Sequence, residues 1–144
     1  MQPPNPNEKA LQLIKSFENF RSKAYLDLAG IPTIGWGTTK GVKLGMTTTV
    51  EQAEEWLKRD VAEIENSIAL LIKIPLEEAQ FAALVSLAYN IGISQFKTST
   101  LLKKLNEGDK QGVIQQFMRW RYVHHREVAG LAQRRKHECE LFLS

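Results

Sequence analysis

The chain has 144 residues, 43% of them hydrophobic and 24% charged, with a formal net charge of +3. That length and balance give one globular domain with a core of its own and exclude a disordered chain. A single cysteine, Cys139, excludes an internal disulfide, and the longest apolar run, Ile68–Ile72, is far too short to span a bilayer.

The opening "MQPPNPNEKA" is polar and Pro-rich, with no apolar h-region and no cleavage site. The expectation is a soluble protein made in the cytoplasm; a target beyond the membrane would have to be reached by release through some other agent. Asn5, Pro6 and Glu8 read as a helix start, with Asn5 as N-cap and Pro6 at the first helical position. Ala10, Leu13, Ile14 and Phe17 continue at helical spacing, so this helix ends close to Glu18.

The next segment changes character. Tyr25-Leu26-Asp27 and Pro32-Thr33-Ile34-Gly35-Trp36 flank Leu28-Ala29-Gly30-Ile31 and predict a small β-hairpin. Centring its turn on Gly30 sets Asp27 opposite Thr33. Gly35, Gly37, Gly41 and Gly45 make the following stretch loop-like.

From Thr47 the pattern is helical. Thr48-x-x-Glu51 and Thr49-x-x-Gln52 are capping-box signals. Ala53, Trp56, Leu57, Val61, Ile64, Ile68 and Leu71 then form one stripe, which Pro75 ends or interrupts. A second helix carries Phe81, Leu84, Val85 and Ala88 and closes at Gly92. Shorter helices are expected over Ser99–Asn106 and Val113–Tyr122, and a final one over Leu131–Leu143. Cys139 falls in that last helical pattern as a core or boundary thiol. The architecture is α+β: a helix and β-lobe over about residues 1–48, then a helical lobe over about 49–144, in a single domain.

Positive charge is uneven. Arg119, Arg121, Arg126, Arg134, Arg135 and Lys136 face only Glu127 over one stretch. That reads either as a solvated helix face or as a patch for an anionic partner: nucleic acid, an anionic membrane or an acidic wall polymer. Aromatic residues are not interleaved with it in an RNA-binding pattern, so no specific nucleic acid is expected. His124, His125 and His137 lack the Cys or carboxylate neighbours that would complete a tetrahedral metal set.

Two carboxylates in different surroundings suit glycosidic chemistry, which needs one protonated acid and one ionised partner. Glu18 lies between Phe17 and Phe20 at a helix C-terminus, a setting that favours its neutral form, while Asp27 on a polar hairpin should stay ionised. A Thr33 hydroxyl beside Asp27 would hold an attacking water. Taken singly, a surface Glu and a turn Asp are commonplace.

The whole string is not. "FE-x8-D-x5-T-I-G-W-G" resembles the phage-type lysozymes, or endolysins, with Glu18, Asp27 and Thr33 at the family's spacing and Tyr25, Gly35, Trp36 and Gly37 matching around them. "LVSLAYNIG" (Leu84–Gly92), "F-x-x-STLLKKLN" from Phe96, "GLAQRRKHE" from Gly130, and Trp120 resemble later segments of the same family. The resemblance covers nearly all of residues 8–143. It implies a lysozyme-like fold with a cleft between lobes and hydrolysis of the β-1,4 bond between N-acetylmuramic acid and N-acetylglucosamine. In that reading Glu18 is the general acid, Asp27 the base that orients water, and Thr33 helps position that water in an inverting displacement. It also implies no metal or organic cofactor, a monomer, peptidoglycan glycan strands as partner, and action on the wall of a bacterial host.

Asn90 and Ser99 carry over as substrate-binding residues; Asn90 is equally readable as an amide capping the helix before Gly92. Trp36 is expected to pack in the hairpin lobe rather than stack on sugar, and Arg134 or Arg135 to approach Glu18. Two departures stand out. Thr38 occupies a position where many relatives have His, and "RYVHHREVAG" (Arg121–Gly130) is richer in His and Arg than the family's version. Arg121, Arg126, Arg134, Arg135 and Lys136 would then favour an anionic wall or membrane surface. Two rivals remain. A lytic transglycosylase needs only the acid, and the presence of Asp27 and Thr33 argues against it. A noncatalytic wall- or membrane-binding protein would act through the basic segment alone.

Overall fold

The structure, a computed structural model, describes residues 8–123 and 125–144. The helix-start residues Asn5 and Pro6, and His124, lie outside the described residues. The chain divides into two compact units, Met1–Ala62 and Glu63–Ser144.

In the first unit, helix α1 (Glu8–Glu18) buries Ala10, Leu11 and Ile14, one stripe of its surface. It stops where Asn19 turns to φ +52°, a left-handed conformation that Asn tolerates better than most side chains. Strands β1 (Arg21–Leu26) and β2 (Pro32–Gly35) follow as an antiparallel pair. Their register is Tyr25 opposite Thr33 and Leu26 opposite Pro32, so Asp27 does not sit across from Thr33 as the turn centred on Gly30 predicts. Asp27 instead opens the connecting loop: its N–H donates to the Ile31 carbonyl at 3.0 Å, and its carbonyl accepts from Gly30 N–H at 2.9 Å. Helix α2 (Val50–Ala69) begins in this unit, capped by Thr49 Oγ1, which accepts from Gln52 N–H at 3.2 Å. Its Ala53, Leu57 and Val61 are fully buried, as is Ile34 of β2. The helix ends at Ala69, short of Leu71 and Pro75, because the amides of Leu71 and Ile72 both fold back onto the Ile68 carbonyl.

The second unit is helical. Helix α3 (Glu78–Ile91) is buried at Ala79 and continuously from Ala82 to Ala88, which marks it as central rather than amphipathic. Gly92, at φ +92°, ends it. A short helix, α4 (Ile93–Lys97), comes next and has no counterpart in the sequence reading, being too brief to show periodicity. Helix α5 (Thr100–Asn106) matches its expected span. Helix α6 (Lys110–Phe117) begins and ends earlier than expected, because Asp109 Oδ1 caps it by accepting from Gly112 N–H at 2.8 Å. Tyr122, the expected last residue of this helix, instead opens a small hairpin, β3 (Tyr122–Val123) with β4 (Arg126–Glu127). Helix α7 (Ala129–Leu143) closes the chain, and its Phe142 ring lies 5.9 Å from that of Phe117. Cys139 is buried as expected, and burial pushes its thiol up to about 11. Among the described residues no helix is long and apolar enough to cross a membrane.

Arg134 and Arg135 are not surface residues. They are 3% and 0% exposed and converge on Glu138, itself 0% exposed. Glu138 Oε2 accepts from the Ser86 hydroxyl at 2.5 Å and from Arg135 at 3.2 Å, while Arg135 Nε lies 2.7 Å from Oε1. Arg134 Nε lies 3.4 Å from Oε2, and its guanidinium also donates to the Ser86 carbonyl at 3.3 Å. Burial pushes the Glu138 carboxyl up and the Arg135 guanidinium down, and their mutual attraction opposes both shifts. Two of the five charges assigned to an anionic-surface patch therefore belong to the interior. Removing the central carboxylate leaves two buried cations without it, so Glu138→Ala is expected to destabilise the protein by about 3–5 kcal/mol. Urea unfolding of the variant beside wild type measures it.

Candidate active site

The three proposed catalytic side chains all lie in the first unit. Glu18 is the last residue of α1, and the turn after β2 is laid against it. A Cβ built on Gly37 would stand 2.7 Å from Glu18 Oε2 and 2.8 Å from its Cδ, in a backbone at φ +87°. Only glycine meets both conditions. Gly35 acts similarly one step earlier: at φ +66°, its Cβ would stand 2.9 Å from Ala53 Cβ, so its absence lets β2 close onto α2. Between them Trp36 is held by packing, as expected. Its ring lies 5.2 Å from that of Phe20, and Lys15 Nζ sits 4.7 Å over it while pairing with Glu54 at 2.5 Å.

Asp27 and Thr33 are tied to the same residue, Ile31. Asp27 Oδ1 accepts from Ala29 N–H at 2.9 Å and from Ile31 N–H at 2.8 Å, the side-chain-closed turn that Asp favours. Those two donors fix the carboxylate's orientation through one oxygen and leave Oδ2 outside the turn. The Thr33 hydroxyl donates to the Ile31 carbonyl at 2.8 Å, so its oxygen can only accept from any further partner. Tyr25, across the strands from Thr33, lies in the field of both carboxylates. Burial first, then Glu18, raises its phenol, while Arg21, 4.2 Å over the ring, opposes and Asp27 adds to the rise. The roles of Gly37, Ile31 and Tyr25 were not read from the sequence. The glycines were visible only as loop formers, and a backbone partner leaves no trace in residue type.

Thr38 is 2% exposed. Its hydroxyl donates to Asp60 Oδ2 at 3.2 Å, and its backbone forms a two-bond bridge with Ile34. That hydrogen bond ties the turn to α2 within the first unit.

The substrate-binding residues Asn90 and Ser99 belong to the second unit. Asn90 is half-buried in the last turn of α3. The Ser99 hydroxyl caps α5, accepting from Leu102 N–H at 3.1 Å and donating to the Phe96 carbonyl at 2.7 Å. Arg121 pairs with Glu127 at 3.6 Å, while Arg126 and Lys136 are exposed. Exposed His137 lies 3.9 Å from Glu140, and among the described residues no group of three or more His, Cys, Asp or Glu side chains is placed to hold a metal ion.

The family model for phage lysozyme matches residues 15–138. The chain is 43% identical to the endolysin of Acyrthosiphon pisum secondary endosymbiont phage 1, over 96% of this chain and 97% of that one. Among solved structures it is similar to the endolysin from Escherichia coli O157:H7 phage FAHEc1, with a TM-score of 0.84, 40% identity and coverage of 99% and 96% of the two chains. It is likewise similar to the muramidase domain of SpmX from Asticaccaulis excentricus, with a TM-score of 0.87, 34% identity and 99% of each chain covered.

The Gly37 contact yields a prediction. Gly37→Ala should cost about 1–2 kcal/mol of stability for its left-handed backbone and displace the Glu18 carboxyl, lowering wall-lytic activity by roughly a hundredfold. Turbidity clearing at a temperature where thermal unfolding shows the variant still folded separates the two effects.

Proposed function

The chain belongs to the phage lysozyme family, and from that premise we propose that Glu18 is the general acid and Asp27 the general base of its reaction. The reaction itself is lysozyme chemistry on peptidoglycan: hydrolysis of the β-1,4 bond between N-acetylmuramic acid and N-acetylglucosamine. Action on the bacterial wall after release follows from where that polymer lies.

Ile31 carries the assignment of Asp27 and Thr33. Because Asp27 is held through Oδ1, its Oδ2 accepts a proton from water in a fixed direction. Because the Thr33 hydroxyl already donates to Ile31, it accepts the water's second hydrogen. A water donating to both has its lone pair left to attack the anomeric carbon, and Asp27 takes the proton as the bond forms. Glu18 protonates the leaving glycosidic oxygen. By family analogy, with Asp27 directing a water rather than attacking the sugar itself, this is a single displacement with inversion at the anomeric carbon. Tyr25 contributes a neutral phenol near both carboxylates. Asn90 would bond an acetamido group or ring hydroxyl of the glycan, and Ser99 stays a substrate contact through the one lone pair its cap leaves.

Glu18→Gln and Asp27→Asn should each lower the rate of peptidoglycan solubilisation by at least about a hundredfold, the scale of general acid–base catalysis, with unfolding midpoints near wild type. Lysis that persists in Glu18→Gln but fails when Arg121, Arg126 and Lys136 are neutralised would instead favour a noncatalytic envelope-binding protein.

A further inference from the structure

The second unit carries a basic basin whose three lysines the hydrolytic reaction does not use, although Ser99, the substrate contact proposed above, also lines it. It is an open concavity of about 580 Å³ built from the chain after α2, the α4–α5 junction and one face of α5. Lys73, Lys97 and Lys103 all line it. None of them lies within ion-pair distance of a carboxylate among the described residues, and the one carboxylate in the lining, Glu107, is 3.9 Å from Lys104 outside the basin. Three like charges around one hollow repel one another, which is a standing cost unless an anion neutralises them.

The basin's walls are fixed rather than incidental. Asn106 on α5 bridges to the chain that brings in Lys73: its Oδ1 accepts from Lys73 N–H at 2.8 Å, and its Nδ2 donates to the Leu71 carbonyl at 3.0 Å. Lys73 is thereby held against the helix face that presents Lys103. Thr98 ends α4 with its hydroxyl donating to the Ser94 carbonyl at 3.2 Å, which fixes the backbone next to Lys97. Thr100 also belongs to the lining. Ammonium groups lining a hollow larger than a bare oxyanion, together with alcohol side chains, fit a phosphate joined to a sugar better than either part alone.

We propose that this basin is a noncatalytic binding site for a phosphorylated saccharide of the bacterial wall. The proposal assumes the peptidoglycan-directed activity above. Holding a phosphate-bearing branch of the wall polymer would make each encounter with the glycan strand effectively intramolecular and retain the enzyme on its substrate.

The test is titration of the full-length, isotope-labelled protein with N-acetylglucosamine 6-phosphate, followed by backbone amide NMR. Inorganic phosphate, unphosphorylated N-acetylglucosamine and phosphatidylglycerol vesicles are run in parallel. The expected result is saturable shifts confined to residues 71–73 and 97–107, tighter for the sugar phosphate than for either half of it. The combined variant Lys73→Gln, Lys97→Gln and Lys103→Gln should weaken binding by roughly tenfold or more. That variant should hydrolyse unphosphorylated peptidoglycan fragments at the wild-type rate, and a separate loss there in Glu18→Gln would test the catalytic reading independently. Inorganic phosphate binding as tightly as the sugar phosphate, vesicle binding alone, or shifts that survive the triple substitution would each overturn the proposal.

Discussion

The first unit is organised around a place where no side chain can be. The backbone at Gly37 approaches the Glu18 carboxyl so closely that even a methyl group would overlap it. This one approach determines much of the local structure. It requires α1 to stop at Glu18, which Asn19 does by turning left-handed. It also requires β2 to reach the turn from the correct side, which Gly35 allows by removing its own Cβ from the path of Ala53. Trp36, between the two glycines, cannot swing away, because Phe20 and Lys15 hold its ring. A carboxyl that must deliver a proton to one atom gains from such a frame, since geometry is fixed before substrate arrives.

The second unit solves a different problem. Its central helix α3 is buried on every side over most of its length, and apolar packing alone says little about which helix face meets α7. The Glu138, Arg134, Arg135 and Ser86 cluster supplies that discrimination, because a shifted register would strand charges in the interior. The basic segment toward the C-terminus thus splits by burial. Arg134 and Arg135 stabilise the interior, Arg121 pairs with Glu127, and Arg126 and Lys136 remain at the surface. Free positive charge is instead gathered at Lys73, Lys97 and Lys103, which come from two separate stretches of the chain.

Much of this was legible from residue order. Helical spacing from Ala10 to Phe17 gave α1 and its end at Glu18, the capping signals at Thr48 and Thr49 bracketed the start of α2, and Gly92 gave the end of α3, because each signal is local. The failures share a cause. The hairpin register slipped because Asp27 spends its carboxylate on Ala29 and Ile31 amides, so the turn closes earlier than composition suggests. Helix α6 shifted because Asp109, not Val113, sets its start. Arg134 and Arg135 were read as surface because a helical wheel cannot see Glu138 as a buried partner until α3 and α7 are packed. For the candidate site, residue identities and spacing were visible, while the hydrogen bonds that orient them run to backbone atoms, which the sequence does not distinguish.

The central claim is that Asp27 and Thr33 direct a water to the anomeric carbon while Glu18 protonates the leaving oxygen. The most direct measurement is hydrolysis of purified peptidoglycan in water enriched in heavy oxygen, with mass analysis of the fragments and NMR of the first-formed anomer. The account predicts one heavy oxygen at each new reducing-end muramic acid, initially as the α-anomer. Anhydro-muramic ends lacking the label would contradict it and leave Glu18 acting without a water-directing partner, whereas labelled β-anomer formed first would mean that Asp27 acts through a covalent intermediate.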